Sequence, residues 1–184
     1  EAAHVKDLVS LLRMLDNPYD ELAWNRVLRA LSGVGPATVN RVLDHLGVTA
    51  AGSSEEGADP VTRFLRAAPP LPSAAREEAA ALAEALADCI GADDEDGPEP
   101  AVQVERLAGW LTSTLERRYD RADARAADLI QLQVTAGGYT SRSRFLSELV
   151  LEPPASTGDL ADEPHLDDDY LTLSTVHSAK GGEW

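Results

Sequence analysis

From Val5 the apolar positions Val5, Leu8, Val9, Leu12 and Leu15 recur at the three- and four-residue spacing that lines one helix face, and Asn17-Pro18 breaks the pattern. Asp20 stands where a carboxylate can cap a second helix, whose stripe Trp24, Val27, Leu28 and Leu31 runs as far as Gly33. Gly33-Val34-Gly35 then makes a tight turn. Pro36 occupies a first helical position that needs no amide hydrogen, and Val39, Val42, Leu43 and Leu46 carry a third helix to Gly47. The segment reads as helix, Gly-x-Gly turn, helix.

Residues 49–60, rich in Ala, Gly, Ser and acids, lack periodicity and read as a loop; a short helical turn follows from Val61 to Arg66, bounded by Pro69-Pro70 and Pro72. Ser73 is placed to cap an alanine-rich helix with the stripe Ala75, Ala79, Leu82, Ala83, Leu86 and Ile90, ended by Gly91. An acidic linker from Gly91 to Pro100 leads into a helix over 101–118 with Val104, Leu107, Ala108, Leu111 and Leu115. Another over 122–136 uses Ala126, Leu129, Ile130 and Leu132 and closes on Gly137-Gly138; a last one uses Phe145, Leu146, Leu149 and Val150. After a second acidic, proline-containing linker, Tyr170 to Val176 is dense in β-branched and aromatic residues and predicts a strand. A single strand is not stable alone, so its sheet partners must lie elsewhere. The expected fold class is mainly α, with that one strand.

Composition sharpens this picture in three ways. With 184 residues and 43% apolar content in short runs, the chain suits one ordinary domain or two small ones and predicts no membrane span or secretory leader. Cys89 is the only cysteine, so no internal disulfide can form and a reducing, cytoplasmic setting is expected. The formal net charge of −16 argues at face value against nucleic acid. Yet residues 88–100 hold six carboxylates and residues 152–169 hold seven, with no basic residue in either segment. The periodic segments are therefore close to neutral. Glu1 at the start, and a sole methionine, Met14, inside a helical pattern, read as a piece of a longer protein.

Two segments are candidates for chemistry. Ser32-Gly33-Val34-Gly35-Pro36-Ala37-Thr38 combines a flexible turn with a helix start, whose amides and partial positive charge suit a phosphate, and the Thr38 hydroxyl can join them. Arg26, Arg29 and Arg41 against Asp44 make this stretch locally basic. The bland alternative is a helical corner that needs glycine for its geometry. The second segment, Leu173 to Trp184, sets hydroxyls, an imidazole, a lysine, two glycines and a carboxylate within twelve residues, and its plain alternative is a strand end with a polar loop.

The stretch Thr175-Val176-His177-Ser178-Ala179-Lys180-Gly181-Gly182-Glu183-Trp184 resembles motif V of UvrD/PcrA/Rep-type superfamily 1 DNA helicases, T-[ILV]-H-x-A-K-G-L-E-[WF], with Gly182 where the family has leucine. His4-Val5-Lys6-Asp7, Asn17-Pro18, Trp24-Asn25-Arg26-Val27 and Gly33 to Thr38 are similar to the start of that family's 2B subdomain. The resemblance implies a helical 2B-like accessory domain over residues 1–151, an acidic hinge over 152–169, and over 170–184 a strand and loop of an incomplete second RecA-like motor domain. It implies that Gly33, Gly35 and Thr38 engage duplex DNA. Thr175 and His177 would contact the backbone of the tracked single strand. Gly181 and Glu183 would lie on the nucleotide side, with Lys180 a candidate phosphate contact. The parent would use ATP and Mg2+ for 3′-to-5′ translocation and unwinding, with DNA repair among its settings and the remaining helicase domains as partners. No phosphate-loop sequence occurs in the 184 residues, so this piece by itself is expected to lack ATPase activity. A stand-alone helix-hairpin-helix DNA-binding module and a helical protein-interaction domain are the alternatives. His4, His45 and His165 read as surface residues, Trp24 and Trp110 as core, Cys89 as a buried small hydrophobe, and the acidic runs as solvated linkers.

Overall fold

The structure, a computed structural model, describes residues 2–49, 58–90, 97–118 and 122–151. Among the described residues there are eight α-helices and no strand: α1 (Ala3–Asp16), α2 (Glu21–Arg29), α3 (Pro36–Leu46), α4 (Pro60–Arg66), α5 (Arg76–Ala87), α6 (Pro100–Arg118), α7 (Ala122–Ala136) and α8 (Arg142–Leu151). The mainly α expectation holds. The strand expected at 170–176 and the hinge expected at 152–169 lie outside the described residues.

Local chemistry accounts for several helix boundaries. The Asp20 carboxylate accepts the Ala23 N–H at 3.0 Å and so caps α2; Asp59 accepts the N–H groups of Val61 and Thr62 and caps α4, which Pro60 opens. The α3 helix closes on Gly47 in the left-handed conformation, with φ 72°, while Val48 N–H donates to Leu43 O at 3.0 Å. At that position a side chain is disfavoured twice, by the backbone angle and by the Arg63 guanidinium, which would meet a Cβ there. One expected boundary is corrected. Ser73 does not cap α5 but opens a 3₁₀ turn, Ser73–Ala75, with no side-chain cap, because Pro72 sets the entry and Ala75 N–H bonds back to Pro72 O.

The α1 helix lies at the centre, packed against α2, α6, α7 and α8, while α6 runs along both α5 and α7. Surrounded this way, α1 buries more than its predicted stripe: Ser10, Leu11 and Met14 are covered beside Leu8, Leu12 and Leu15. Each leucine buried so completely stabilises the fold by about 2 kcal/mol. The indole of Trp24 is fully enclosed, meets Phe64 edge-on at 5.6 Å and donates to Pro18 O at 2.8 Å. Trp110 is also core, and its indole N–H donates to the backbone oxygen of Glu78 at 3.1 Å.

Three further expectations change. His4 is 2% exposed rather than on the surface, because α7 covers the first turn of α1 and its Nε2 lies 2.8 Å from an Asp128 carboxylate oxygen. Ile130 is 61% exposed, since Leu129, Leu132 and Ala136 turn inward and the neighbouring position lies about 100° round the helix from Leu129. Ile90 falls beyond the end of α5 and is exposed. At the other end of the bundle Arg142, buried at the start of α8, donates to Leu15 O and to Gln103 Oε1, each at 3.0 Å, and Gln103 donates in turn to Pro98 O at 2.6 Å. That chain of bonds, charge-assisted at Arg142, ties the end of α1 to the starts of α6 and α8. No helix among the described residues is long and apolar enough to cross a membrane.

Candidate functional site

The corner between α2 and α3 is built by a short run of reverse bonds. Ala30 and Leu31 N–H donate to Val27 O and Leu28 O at 3.1 Å each, and Val34 N–H donates to Leu31 O at 3.3 Å. Gly33 supplies the one left-handed residue of the turn, with φ 71°. Val34 then points into the core, and Gly35 opens α3 from an extended backbone with φ −95° and ψ 176°. Its carbonyl accepts both Thr38 N–H and Val39 N–H at 3.0 Å.

The donors at the front of the corner are less well used. Gly35 has no side chain to cap α3, and the N–H groups of Gly33, Gly35 and Ala37 donate to no partner among the described residues, while Pro36 has none to offer. Gly33, Gly35, Pro36 and Ala37 are all exposed. The start of α3 therefore presents unfilled donors and the positive end of its dipole to solvent. Thr38 is half-buried, and its hydroxyl lies 3.5 Å from the exposed Arg41 guanidinium one turn further on.

The two glycines have different reasons to be there. The backbone at Gly33 is one that other residues rarely adopt. Gly35 has ordinary extended angles, and a Cβ built on it meets nothing within 4 Å. The backbone favours glycine at the first and leaves room for a side chain at the second.

The basic patch is smaller than the arginine count suggests. Arg26 turns toward α1, where its Nε donates to Asp7 at 2.5 Å and an Nη to Ala3 O at 3.0 Å. Arg29 and Arg41 remain as the exposed cations of the corner. Sequence reasoning missed a residue that holds the turn: the Glu78 carboxylate, in the first turn of α5, accepts Ser32 N–H at 2.7 Å and Ser32 O–H at 2.5 Å. No local pattern could reveal it, since the pair is 46 residues apart in sequence.

Cys89 is buried with its sulfur 3.8 Å from Gln103 O, and burial, reinforced by the Asp88 carboxylate, pushes its thiol up to about 12 despite the opposing pull of Arg142 and Arg106. It is a buried core residue, as expected. Thr175, His177, Lys180, Gly181 and Glu183 lie outside the described residues, whereas Gly33, Gly35 and Thr38 come together at one exposed corner. No family model, curated protein or solved structure matches the chain.

Proposed function

We propose that residues 1–151 are an accessory, 2B-like domain of a UvrD-type superfamily 1 DNA helicase, and that the α2–α3 corner is a helix-hairpin-helix that touches the backbone of duplex DNA. The observation that carries the DNA contact is the open start of α3: exposed amides at Gly35 and Ala37, the Thr38 hydroxyl, and Arg29 and Arg41 as the cations nearest in sequence. Such a corner neutralises few phosphates and reads no bases, so it holds a duplex weakly and without sequence preference. The motif from Thr175 to Trp184 supports the helicase assignment. In the parent enzyme Thr175 and His177 would hold the tracked strand, and Gly181 and Glu183 would face the nucleotide, with ATP and Mg2+ supplied at the motor domains.

The direct test is titration of the 184-residue chain with a short labelled duplex at low salt. Binding should weaken with salt at a logarithmic slope of about −2, one unit for each neutralised phosphate. The double variant Arg29→Glu, Arg41→Glu should lose at least about tenfold in affinity with no change in helix content. Equal binding by that variant would reject the corner as the contact. For the motif, His177→Ala in a full-length enzyme should abolish DNA stimulation of ATP hydrolysis, and unchanged stimulation would reject that role. A second reading, a helical protein-interaction domain, draws on the exposed Ile130 and Val134 of α7, 61% and 68% accessible and one turn apart.

A further inference from the structure

The α2–α3 corner carries a carboxylate of its own. Glu78 grips the first donor pair of the turn, the N–H and O–H of Ser32, in a bidentate, charge-assisted clamp. Its position is fixed from both sides. The residue lies in the first turn of α5, where the helix dipole favours a negative charge, and its backbone oxygen accepts the Trp110 indole N–H from α6. The turn is thereby bolted through Ser32 and Glu78 to the α5–α6 pair. A phosphate approaching the corner finds the Ser32 donors already taken by an anion, while the Gly35 and Ala37 amides, past Val34 in the chain, are unfilled.

Resting on the duplex-contact reading above, we propose that Glu78 is the specificity-determining residue of this corner: it withholds Ser32 from the DNA backbone, steers the phosphate to the Gly35–Thr38 end, and sets the affinity low. It acts in two separable ways. The clamp fixes the shape of the turn, and the charge repels the approaching polyanion. Glu78→Gln keeps an oxygen for Ser32 N–H and removes the charge, so it separates the two.

The experiment compares the 184-residue wild type, Glu78→Gln, Ser32→Ala and the Arg29→Glu, Arg41→Glu double variant for binding to a short labelled blunt duplex at low and moderate salt. Removing the carboxylate charge from the corner should tighten binding roughly threefold at low salt, with the gain shrinking as salt rises. Ser32→Ala leaves the charge in place and should bind like wild type. If Glu78→Gln binds no tighter while the double arginine variant loses affinity, the role of Glu78 falls and the duplex contact stands. If Ser32→Ala tightens binding as much as Glu78→Gln, the clamp on the turn rather than the charge sets the affinity, and the charge role proposed for Glu78 is overturned. If neither wild type nor Glu78→Gln binds duplex, both readings fall together. A measurement on the wild type alone guards against a misfolded variant: on adding duplex, the Gly35 and Ala37 amides should shift in NMR spectra and gain exchange protection while Ser32 changes little. A largest change at Ser32 would refute the proposal.

Discussion

The two ends of α3 are finished in opposite ways. At the C-terminal end Gly47 takes the left-handed cap, Val48 N–H returns to Leu43 O, and Arg63 from α4 lays its guanidinium on Leu46 O at 2.8 Å. The last carbonyls are satisfied by backbone, and by a cation placed where the helix dipole is negative. At the N-terminal end the opening residue has no side chain, one following residue has no amide hydrogen, and exposed N–H groups face solvent. The neighbouring helices show that this is not how the chain handles every start, since Asp20 and Asp59 cap α2 and α4. An acceptor side chain at position 35 would cap α3 at a gain of a few tenths of a kcal/mol over glycine. The start of α3 is thus left open, as are those of α1 and α5, where Ala2 and Ala75 make no side-chain cap bond either.

The largest expected effect tests the closed end. Gly47→Ala puts a Cβ on a left-handed residue and drives it into Arg63, so it should cost about 2 kcal/mol in chemical denaturation, whereas Gly35→Ala should stay within about 0.5 kcal/mol of wild type. Equal losses at the two glycines would erase the contrast. Cys89 offers a second readout. Its thiol, raised to about 12 by burial, is protonated and enclosed at pH 8, so alkylation reports opening of the core. Labelling of Gly47→Ala should be about thirtyfold faster than wild type where exchange is limited by the opening equilibrium. The sign of the pH dependence follows from the raised value: stability contributed by the buried thiol is complete below about 9 and is lost as pH climbs toward 12.

An intermediate effect separates the two components at Gly47. Arg63→Ala removes one charge-assisted bond to the Leu46 carbonyl and should cost about 1 kcal/mol. Combined with Gly47→Ala it should cost less than the sum, because the displaced guanidinium is already gone and only the backbone strain remains. Strict additivity in the double-mutant cycle would show that Arg63 moves aside freely and that φ alone makes the residue glycine.

Much of this comparison was legible in the sequence, for a physical reason. Helix boundaries depend on near neighbours: Asn17-Pro18, Pro36 and Gly47 act through their own backbone angles and missing hydrogens and mark their boundaries in the structure, whereas α2 ends at Arg29, ahead of the expected break at Gly33. Stripes told less about α1, because the face that α6 and α7 cover depends on helices about a hundred residues away, and so His4 was misplaced. Charge counting failed for the same reason at Arg26, which Asp7 on α1 holds. Glu78 is the clearest case: as one acidic residue on an alanine-rich helix it looks solvated, and only the packing of α5 against the corner turns it into the partner of Ser32. The two glycines looked alike as letters. Their φ values, 71° and −95°, tell them apart.

The smallest effect in stability is the sharpest for function. Gly35→Asp places a carboxylate at the start of α3 on a backbone that already has the angles of a capping residue, with open space around the new Cβ. It should accept an orphan N–H, complement the dipole and raise stability by a few tenths of a kcal/mol in denaturant titration. The same carboxylate would occupy the place offered to a phosphate, so duplex binding should fall by at least about fivefold at low salt. Stability and binding would then move in opposite directions through one side chain, which loss of folding cannot imitate. A stabilised variant that binds duplex as well as wild type would show that the open end is not the contact. A destabilised variant would show that Gly35 is held by the fold after all, and the asymmetry between the two ends of α3 would lose its meaning.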